Sequence, residues 1–338
     1  MVRRGLIVGK FYPPHRGHKR LIDTARAQVD DLTVIVCGRE GESPAGELRA
    51  GWMQEIHPDV RVMLIDDTYD AQDSRVWAEN SIRWLGRAPD LVFTSEDYGD
   101  EFARHLGCRH VQVDRARTIV PVSGTRVRAD PLGCWEFLEP PVRGFYAVRV
   151  CVIGAESTGK TTLAQDLARH FDTVWVPEYG REYSERKLAA GGGYDFRSEE
   201  FAHIAARQCE LEDEAARRAN RILICDTDAF ATSVWHRRYI GTRSPEVEAT
   251  AARHRRPDLY LLTDIDTPFV QDGTRDGEHV REWMHEVFVE ELRARGHHFH
   301  PVSGARDERL RQAVGYIEDL LAGLRRGERL WHSTRRSS

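Results

Sequence analysis

Residues 148–161 read Val-Arg-Val-Cys-Val-Ile-Gly-Ala-Glu-Ser-Thr-Gly-Lys-Thr, an apolar run followed by a glycine-rich loop. The loop, Gly154 to Thr161, matches G-x-x-x-x-G-K-[ST] at every defined position, and a helical pattern follows it. Strand, loop and helix in this order are the context that a phosphate-binding P-loop requires. The stretch therefore predicts an α/β domain that binds ATP.

Each part of this loop has an expected task. Glycines allow the tight turn that points backbone N–H groups at the phosphates. Lys160 is expected to reach the β- and γ-phosphates, and the Thr161 hydroxyl to hold Mg²⁺. The alternative, an ordinary glycine-rich turn, is disfavoured because residues and context agree. The residues expected to bind ATP here are Gly154, Glu156, Ser157, Thr158, Gly159, Thr161 and Thr162.

A second phosphate-handling loop lies near the start of the chain, where residues 9–18 read Gly-Lys-Phe-Tyr-Pro-Pro-His-Arg-Gly-His. A short apolar strand precedes it, and an amphipathic segment follows from Arg16 to Val29. His15 and His18 are three residues apart at the start of that predicted helix, so they share a face. Imidazoles beside helix N-terminal amides can donate hydrogen bonds to a triphosphate that is attacked at its α-phosphorus.

Two alternatives exist for a pair of histidines, namely a metal site and simple capping or packing. No third Cys or His lies at a plausible local spacing for zinc. The complete G-x-F-x-P-x-H-x-G-H string favours the phosphate role over packing. We expect His15, His18 and Lys10 to act in the chemistry, and Gly9, Phe11 and Lys19 to help bind ATP.

Composition limits the class of protein. With 338 residues, 41% of them hydrophobic and 30% charged, the chain is long enough for two globular domains. The formal net charge of −5 gives no bulk attraction to nucleic acid. No signal-peptide pattern and no membrane-length apolar run occur, so we expect a cytoplasmic protein. The six cysteines show no C-x-x-C pair and are expected to be reduced core residues.

Apolar runs alternate with helical patterns twice along the chain. This alternation is typical of α/β folds, so the fold class expected is two doubly wound parallel-sheet domains. Leu138 to Gly144 interrupts the pattern and is interpreted as a linker. The expected domains are 1–140 and 146–325, followed by a polar tail over 326–338.

The first loop resembles the H-x-G-H motif of the nucleotidylyltransferase superfamily, whose domain is Rossmann-like. Residues 122–128, Val-Ser-Gly-Thr-Arg-Val-Arg, are similar to the downstream I-S-x-T-x-x-R motif of that superfamily. Ser123, Thr125 and Arg128 are chemically suited to the β- and γ-phosphates that leave as pyrophosphate. A capped helix without function is the alternative for this segment.

A nucleotidylyltransferase fused to this P-loop domain resembles the NadR-type bifunctional enzymes over residues 1–325. That family combines a nicotinamide-nucleotide adenylyltransferase with a ribosylnicotinamide kinase. The kinase resemblance rests on residues 177–182, 225–228 and 271–275. Related proteins that repress transcription carry an extra helix-turn-helix before the catalytic strand. Here that strand starts almost at Met1, so no DNA-binding role is expected.

Within the kinase half, carboxylates and arginines supply the remaining candidates. Glu178 is preferred as the base, with Asp226 and Asp228 for metal or ribose contacts, although these roles are interchangeable. Solvent-facing turn carboxylates are the alternative. Further candidates for substrate contacts are Tyr179, Arg181, Arg275 and Arg281. In the first domain Trp77 or Trp84 is expected to stack on the nicotinamide ring, and core packing is an equal alternative.

The expected function is NAD synthesis from nicotinamide riboside, with ATP as co-substrate and Mg²⁺ in both steps. The expected partners are small molecules. The sequence does not determine the oligomeric state and is compatible with a homo-oligomer. Two other functions compete with this expectation. One is a coenzyme A synthase, which also joins an adenylyltransferase to a P-loop kinase. The other is a nucleotide sensor whose sites bind without turnover.

Overall fold

Two parallel sheets organise the chain. The computed structural model describes residues 2–68, 73–193, 195–268 and 280–326. The chain divides into two units, Met1–Val142 and Arg143–Ser338, and within the described residues each unit holds one five-stranded sheet. The predicted pair of parallel-sheet α/β domains is confirmed. The predicted polar tail lies outside the described residues, apart from its first residue, Arg326.

The first sheet has the strand order β3-β2-β1-β4-β5, and all its pairings are parallel. Its strands are β1 (Arg4–Gly9), β2 (Asp31–Gly38), β3 (Arg61–Asp66), β4 (Leu91–Thr94) and β5 (Arg109–Gln112). The helices of this unit are α1 (Arg16–Arg26), α2 (Gly46–Ile56), α3 (Ser74–Leu85), α4 (Gly99–Leu106), α5 (Gly124–Ala129) and α6 (Pro140–Tyr146), which runs past the unit's end. The strand order reverses between β1 and β4, where such sheets form a ligand crevice at the strands' carboxyl ends.

Apolar side chains cover both faces of this sheet. Ile7 and Val34 belong to one buried cluster, whereas Leu6 and Ile35 belong to another. Because successive residues of a strand point to opposite faces, the two clusters lie on opposite sides of the sheet. Near-continuous burial of this kind explains why β1 and β2 appear in the sequence as apolar runs.

The second sheet has the order β10-β9-β6-β8-β7 and is also parallel. Its strands are β6 (Val148–Ile153), β7 (Trp175–Val176), β8 (Ile222–Asp226), β9 (Leu259–Thr263) and β10 (Phe299–Val302). The helices are α7 (Lys160–His170), α8 (Tyr179–Ala189), α9 (Ser198–Ala216), α10 (Ala229–Ile240), α11 (Pro245–Arg253), α12 (Arg281–Ala294) and α13 (Arg306–Arg325). Val152 pairs with Asp226, and Val176 with Cys225, so β6, β8 and β7 end at one edge.

The predicted linker over 138–144 contains the boundary between the two units, which falls between Val142 and Arg143, but most of this segment is the helix α6. Leu138 and Val142 are fully buried, so the segment packs into the structure. Pro140 and Pro141 occupy the first turn, where a helix needs no N–H donors, and they begin the helix there. A proline pair is therefore a start signal here.

Other expectations from composition can be compared with the structure. All six cysteines are free in the structure; five of them are buried, and Cys108 is half-buried. Within the described ranges, every helix is too short or too polar to cross a bilayer. His298 directly precedes β10, an edge strand, and His300 lies within it.

Candidate active sites

The amino-terminal loop positions two histidines at the start of α1. His15 caps the helix, and its Nδ1 accepts a hydrogen bond from the Gly17 N–H at 3.1 Å. The Nδ1 of His18 accepts from the His15 N–H at 3.3 Å. The two rings stack with centroids 3.7 Å apart, and Phe11 packs edge-on against His18. Backbone hydrogen bonds and ring contacts thus fix both imidazoles.

These hydrogen bonds decide which ring nitrogen carries the proton. Because each Nδ1 accepts from a backbone N–H, each neutral ring bears its hydrogen on Nε2. Burial, followed by the charge of Arg117, lowers the pKa of His15 to about 4. Burial, followed by the charge of His15, holds the pKa of His18 well below its usual value. At neutral pH both rings are therefore uncharged Nε2–H donors.

A cleft of about 660 Å³ opens at the carboxyl ends of β1 and β4. Both histidines line it, as do residues from each of the two predicted motifs. The structure brings together in this cleft the predicted residues Gly9, Lys10, Phe11, His15, His18, Trp77, Ser123, Thr125 and Arg128.

The two motifs meet at Tyr12. Arg128 donates a hydrogen bond to the Tyr12 carbonyl, and its guanidinium lies 4.5 Å from the centre of the Tyr12 ring. The guanidinium of Arg49 lies 4.9 Å from the same ring, so two cations contact one aromatic side chain. Gly124 is required at this junction, because a Cβ there would lie 2.5 Å from the Tyr12 oxygen. Ser123 caps α5 through its hydroxyl.

Asp67 lines the same cleft, and sequence reasoning missed it. Its side chain is only 2% exposed, and its Oδ2 lies 3.1 Å from both the Lys10 Nζ and the Arg39 Nε. The carboxylate therefore holds the Lys10 ammonium in place at the cleft. One signal could have revealed it, since Asp67 directly follows β3 at the edge where ligands bind such sheets.

Two residues predicted for this cleft lie elsewhere. The Lys19 ammonium pairs with Asp23 one helical turn later, at 2.7 Å, beside a shallow surface pocket. Trp84 packs against Trp77 with ring centroids 6.2 Å apart, in the apolar cluster on one face of the sheet. Of the two tryptophans proposed as a platform, Trp77 is the one that lines the cleft.

In the second unit, β6 leads into a P-loop with unusual backbone angles. Gly154 has a φ of 150°, and a Cβ there would lie 2.2 Å from the Thr263 hydroxyl oxygen, so only glycine fits. Ser157 has a φ of 56°, in the left-handed region. The Lys160 ammonium donates to a carbonyl of the loop at 2.9 Å. This geometry is the one that directs backbone N–H groups at phosphates.

Two carboxylates lie beside this lysine. The Thr161 hydroxyl donates to Asp226 Oδ2 at 2.5 Å, while Oδ1 is buried without a hydrogen-bond partner among the described residues. Burial raises the pKa of Asp226. Burial also raises the pKa of Glu178, an effect that Lys160 opposes and Asp226 reinforces. The predicted base and the predicted metal ligand are thus brought together as expected from adjacent strand ends.

A cleft of about 110 Å³ extends from these groups. The predicted residues that line it are Glu156, Ser157, Lys160, Glu178 and Arg181.

An aromatic wall closes this cleft, and sequence reasoning missed it. Trp235 and Tyr239, four residues apart on α10, stack with ring centroids 6.4 Å apart. Arg238 forms an ion pair with Glu156 of the P-loop and lies 4.7 Å from the Tyr239 ring centre. Phe196 also lines the cleft. The four-residue spacing of the two aromatic residues was the available signal.

The predicted role of Asp228 needs a correction, because this residue caps α10 and both of its carboxylate oxygens accept hydrogen bonds within the protein. Its Oδ1 accepts from the Ala231 N–H at 2.8 Å, and its Oδ2 accepts from the Tyr260 hydroxyl at 2.6 Å. The side chain is buried, and both oxygens are occupied by the protein. The structure therefore gives Asp228 a structural task in place of the predicted substrate contact.

The other described residues that were predicted for the kinase half are not among those that line this cleft. Arg281 is buried and donates to backbone carbonyls, Tyr179 is buried at the start of α8, and Thr158 is buried within the P-loop. Thr162 is exposed in the first turn of α7. The segment 271–275, with Arg275, lies outside the described residues.

Within the described residues no group of three or more His, Cys, Asp or Glu side chains could hold a metal ion by itself. The pair Thr161 and Asp226 still fits Mg²⁺, which uses one or two protein ligands and takes its remaining oxygens from phosphates and water. The unpartnered buried Oδ1 of Asp226 is an oxygen ligand of the right kind.

Two family models match the chain, a cytidylyltransferase-like model over residues 6–130 and an AAA-domain model over residues 149–309. The trifunctional NAD biosynthesis/regulator protein NadR of Escherichia coli K12 is 32% identical over 294 residues, 80% of this chain and 71% of that protein. NadR of Salmonella typhimurium LT2 is 30% identical over 342 residues, 94% of this chain and 83% of that protein. A nicotinamide-nucleotide adenylyltransferase of Thermococcus kodakarensis is 22% identical over 47% of this chain and 94% of its own length.

Two solved structures share the fold over the whole chain. A NadR protein in complex with NR superposes with a TM-score of 0.80 at 22% identity, covering 100% of this chain and 99% of that one. A NadR protein in complex with NAD and AMP-PNP gives a TM-score of 0.76 at 21% identity, with the same coverage. Sequence identity across most of both proteins, in the two bacterial relatives, shows that the chain belongs to the NadR family.

Proposed function

We propose that this member of the NadR family makes NAD in two steps. Residues 146–325 transfer the γ-phosphate of ATP to nicotinamide riboside, giving nicotinamide mononucleotide and ADP. Residues 1–140 then join the mononucleotide to the adenylyl group of a second ATP and release pyrophosphate. The names of the relatives, and the ligands NR, NAD and AMP-PNP in the solved NadR structures, support this assignment.

The observation that carries the proposal is the chemical contrast between the two clefts. The first presents neutral imidazole donors and cations. Each carboxylate that lines it already has a partner within the protein: Asp67 pairs with Lys10, Glu42 with Arg49 and Glu96 with Arg117, while Asp114 accepts hydrogen bonds from backbone N–H groups. The second presents Lys160 beside Glu178, a carboxylate whose pKa is raised. The first set suits an anionic nucleophile, and the second suits a neutral hydroxyl that must lose a proton.

In the kinase cleft, Glu178 accepts the proton of the riboside 5′-hydroxyl as that oxygen attacks the γ-phosphorus. The new O–P bond forms while the bond between the γ-phosphorus and the bridging oxygen of ADP breaks. The raised pKa of Glu178 brings it closer to neutral pH, where a base accepts protons more effectively. Lys160 balances the charge on the β- and γ-phosphates, and we expect Arg181, which lines the cleft, to contact the transferred group.

Thr161 and Asp226, which share a hydrogen bond next to Lys160, would hold Mg²⁺. The ion, when bound, neutralises charge on the β- and γ-phosphate oxygens. The ammonium of Lys160, whose charge acts on Asp226, adds a further positive charge beside these two residues.

In the amino-terminal cleft, an oxygen of the mononucleotide 5′-phosphate attacks the α-phosphorus of ATP, and pyrophosphate leaves. This nucleophile is already an anion, so the cleft needs donors and cations in place of a base. The Nε2–H groups of His15 and His18 are set to donate to phosphate oxygens whose negative charge grows. We expect Lys10 and Arg128 to neutralise the remaining charge and the hydroxyls of Ser123 and Thr125 to donate hydrogen bonds, since all four residues line the cleft.

Each cleft also offers an aromatic surface for the nicotinamide ring. The ring of the riboside is a flat cation, which gains free energy from contact with an aromatic face. Trp77 offers that face in the first cleft, and Trp235 with Tyr239 offers it in the second.

Mass spectrometry of the products from ATP and nicotinamide riboside tests the proposal. We expect mononucleotide and then NAD from the unaltered protein. H18A removes one transition-state donor, so NAD formation from the mononucleotide should fall by about 10²-fold or more while riboside phosphorylation persists. K160A should have the converse effect.

K19A is the matched control, because Lys19 pairs with Asp23 away from the cleft wall. It should leave both rates within about twofold. If H18A or K160A removed both activities from folded protein, the division of labour would be wrong. Family membership disfavours the coenzyme A synthase alternative, and ligand binding without release of ADP or pyrophosphate would favour the sensor.

A further inference from the structure

Two backbone carbonyl groups of the P-loop accept hydrogen bonds from side chains outside the loop. A loop that turns its N–H groups toward phosphates leaves its carbonyls facing the protein, where buried ones need partners. The Ser157 carbonyl accepts from the Thr267 hydroxyl at 3.3 Å. The Thr158 carbonyl accepts from Arg309 Nη1 at 2.7 Å. Side chains that are distant in sequence thus fix the loop through hydrogen bonds to its carbonyl groups.

Arg309 lies on α13 and is only 4% exposed. Besides Thr158, its guanidinium donates to the carbonyls of Gly304 at 2.9 Å and Asp264 at 3.2 Å. It also pairs with the carboxylate of Asp266. One buried cation therefore ties the P-loop to the segments that follow β9 and β10. A guanidinium suits this task because its donors form a fixed planar fork.

Thr158 is held from its other side as well. Its hydroxyl is buried and donates to the Ala155 carbonyl at 2.8 Å. The same hydroxyl lies 2.7 Å from the hydroxyl of Thr263, which in turn donates to the Ile153 carbonyl at 3.1 Å. The backbone at Thr158 is thus fixed through both its carbonyl and its side chain.

We infer that Arg309 is a positioning residue for ATP, acting through the Thr158 carbonyl of the P-loop. The inference rests on the proposed kinase function. Without the guanidinium, a buried carbonyl would lose its charged donor, and the loop would shift to find another partner. The N–H groups on the opposite side of that backbone would then no longer converge on the phosphates. The binding of ATP should therefore suffer more than the binding of the riboside.

The test compares steady-state kinetics of riboside phosphorylation in R309M, R309K and R306Q. Methionine keeps the apolar stem without the donors, and lysine keeps the charge without the fork. Both should raise the KM for ATP, R309M by about tenfold and R309K by less. The loss of a hydrogen bond from a charged donor weakens binding by about tenfold. The KM for the riboside should stay within about twofold.

R306Q is the matched control, because Arg306 is an arginine on the same helix that pairs with Asp166 of α7 away from the loop carbonyls. It should leave the KM for ATP unchanged. Adenylyl transfer from the mononucleotide, measured on the same preparations, reports whether the amino-terminal unit is intact. Hydrogen exchange at the amides of residues 155–160 should be faster in R309K.

Two outcomes would overturn the inference. One is an unchanged KM for ATP in R309K, the variant that serves if R309M does not fold. The other is an equal loss in kcat and in both KM values together with a lower melting temperature, which would make Arg309 a stabilising residue only. A wild-type protein that fails to phosphorylate the riboside would instead contradict the proposed function.

Discussion

The cleft of the first unit is lined by nitrogen donors and by carboxylates that are already partnered within the protein, whereas the cleft of the second unit has Glu178 beside Lys160. His15 and His18 are kept neutral by burial and by backbone hydrogen bonds to their Nδ1 atoms. Glu178 and Asp226 have raised pKa values for the same physical reason, burial. Desolvation thus turns one pair of residues into donors and the other into better proton acceptors.

The difference follows from the state of each nucleophile. A phosphate monoester arrives as an anion, and a carboxylate near it would repel it unless a cation balanced the carboxylate's charge. A ribose hydroxyl arrives neutral and needs an acceptor for its proton. If this account is right, removal of a carboxylate should damage one reaction alone.

The largest expected effect is that of E178Q on the kinase. Glutamine keeps the size of the side chain but cannot accept the hydroxyl proton, so kcat should fall by about 10²- to 10⁴-fold. Adenylyl transfer should not change. E182Q is the control, since Glu182 lies in the first turn of α8, the helix that Glu178 precedes, and pairs with Arg186 at the surface. A nearly normal kcat for E178Q would move the role of base to Asp226.

The second-largest effect is expected in the pH dependence of the two reaction rates, which should differ between the clefts. The pKa of Glu178 is raised above its usual value, so the ionised base is lost as pH falls through that raised pKa. The kcat/KM for the riboside should then drop about tenfold per pH unit on the acidic side. E178Q should lack this limb.

Adenylyl transfer should behave differently, because His15 stays neutral down to about pH 4. Its acidic limb should follow the substrate's own phosphate, whose second pKa is about 6. H18Q should therefore lower the rate without moving that limb. A limb that moved with the substitution would mean that the histidines act in their charged form.

A smaller effect is expected from the aromatic wall. W235L should raise the KM for nicotinamide riboside by about tenfold, since a contact between a cation and an aromatic face is worth 1–2 kcal/mol or so when desolvated, roughly a tenfold change. W283L is the control, because Trp283 is partly exposed and lies on α12. If W235L raised the KM for ATP instead, the wall would hold adenine.

The smallest kinetic effect is expected from Asp228. D228A removes a helix cap and leaves the Tyr260 hydroxyl without its acceptor, so the free energy of unfolding should fall by about 2 kcal/mol. Both KM values of the kinase should be unchanged in folded protein. S244A, which removes the cap of α11, gives a reference for the loss of a cap alone. A raised KM with unchanged stability would restore Asp228 as a substrate contact.

Both sheets and both loops were predictable because their signals are local. Buried parallel strands appear as apolar runs, and the glycines of a phosphate loop lie within a few residues of each other. The helices α8 and α11 were missed for a physical reason. Only Tyr179 is buried in α8, and only Val247 in α11, so neither has an apolar stripe. The start of α11 still carried a signal, Ser244 before Pro245.

The residues that sequence reasoning missed at the sites come from tertiary folding. Asp67 reaches Lys10 across 57 positions, and Arg309 reaches Thr158 across 151. No local pattern marks such pairs. Asp228 shows the opposite error, since its position after a strand was right but its oxygens are occupied by Ala231 and Tyr260.

The ring of Tyr12 between Arg49 and Arg128 has a consequence for engineering. Chimaeras that take their first hundred residues from one parent and the rest from another would separate the tyrosine from one of its two arginines. A compatible crossover must therefore fall before residue 12 or after residue 128, or join parents that agree at all three positions. In recombination libraries built on this scaffold, the folded variants should carry residues 12, 49 and 128 from the same parent.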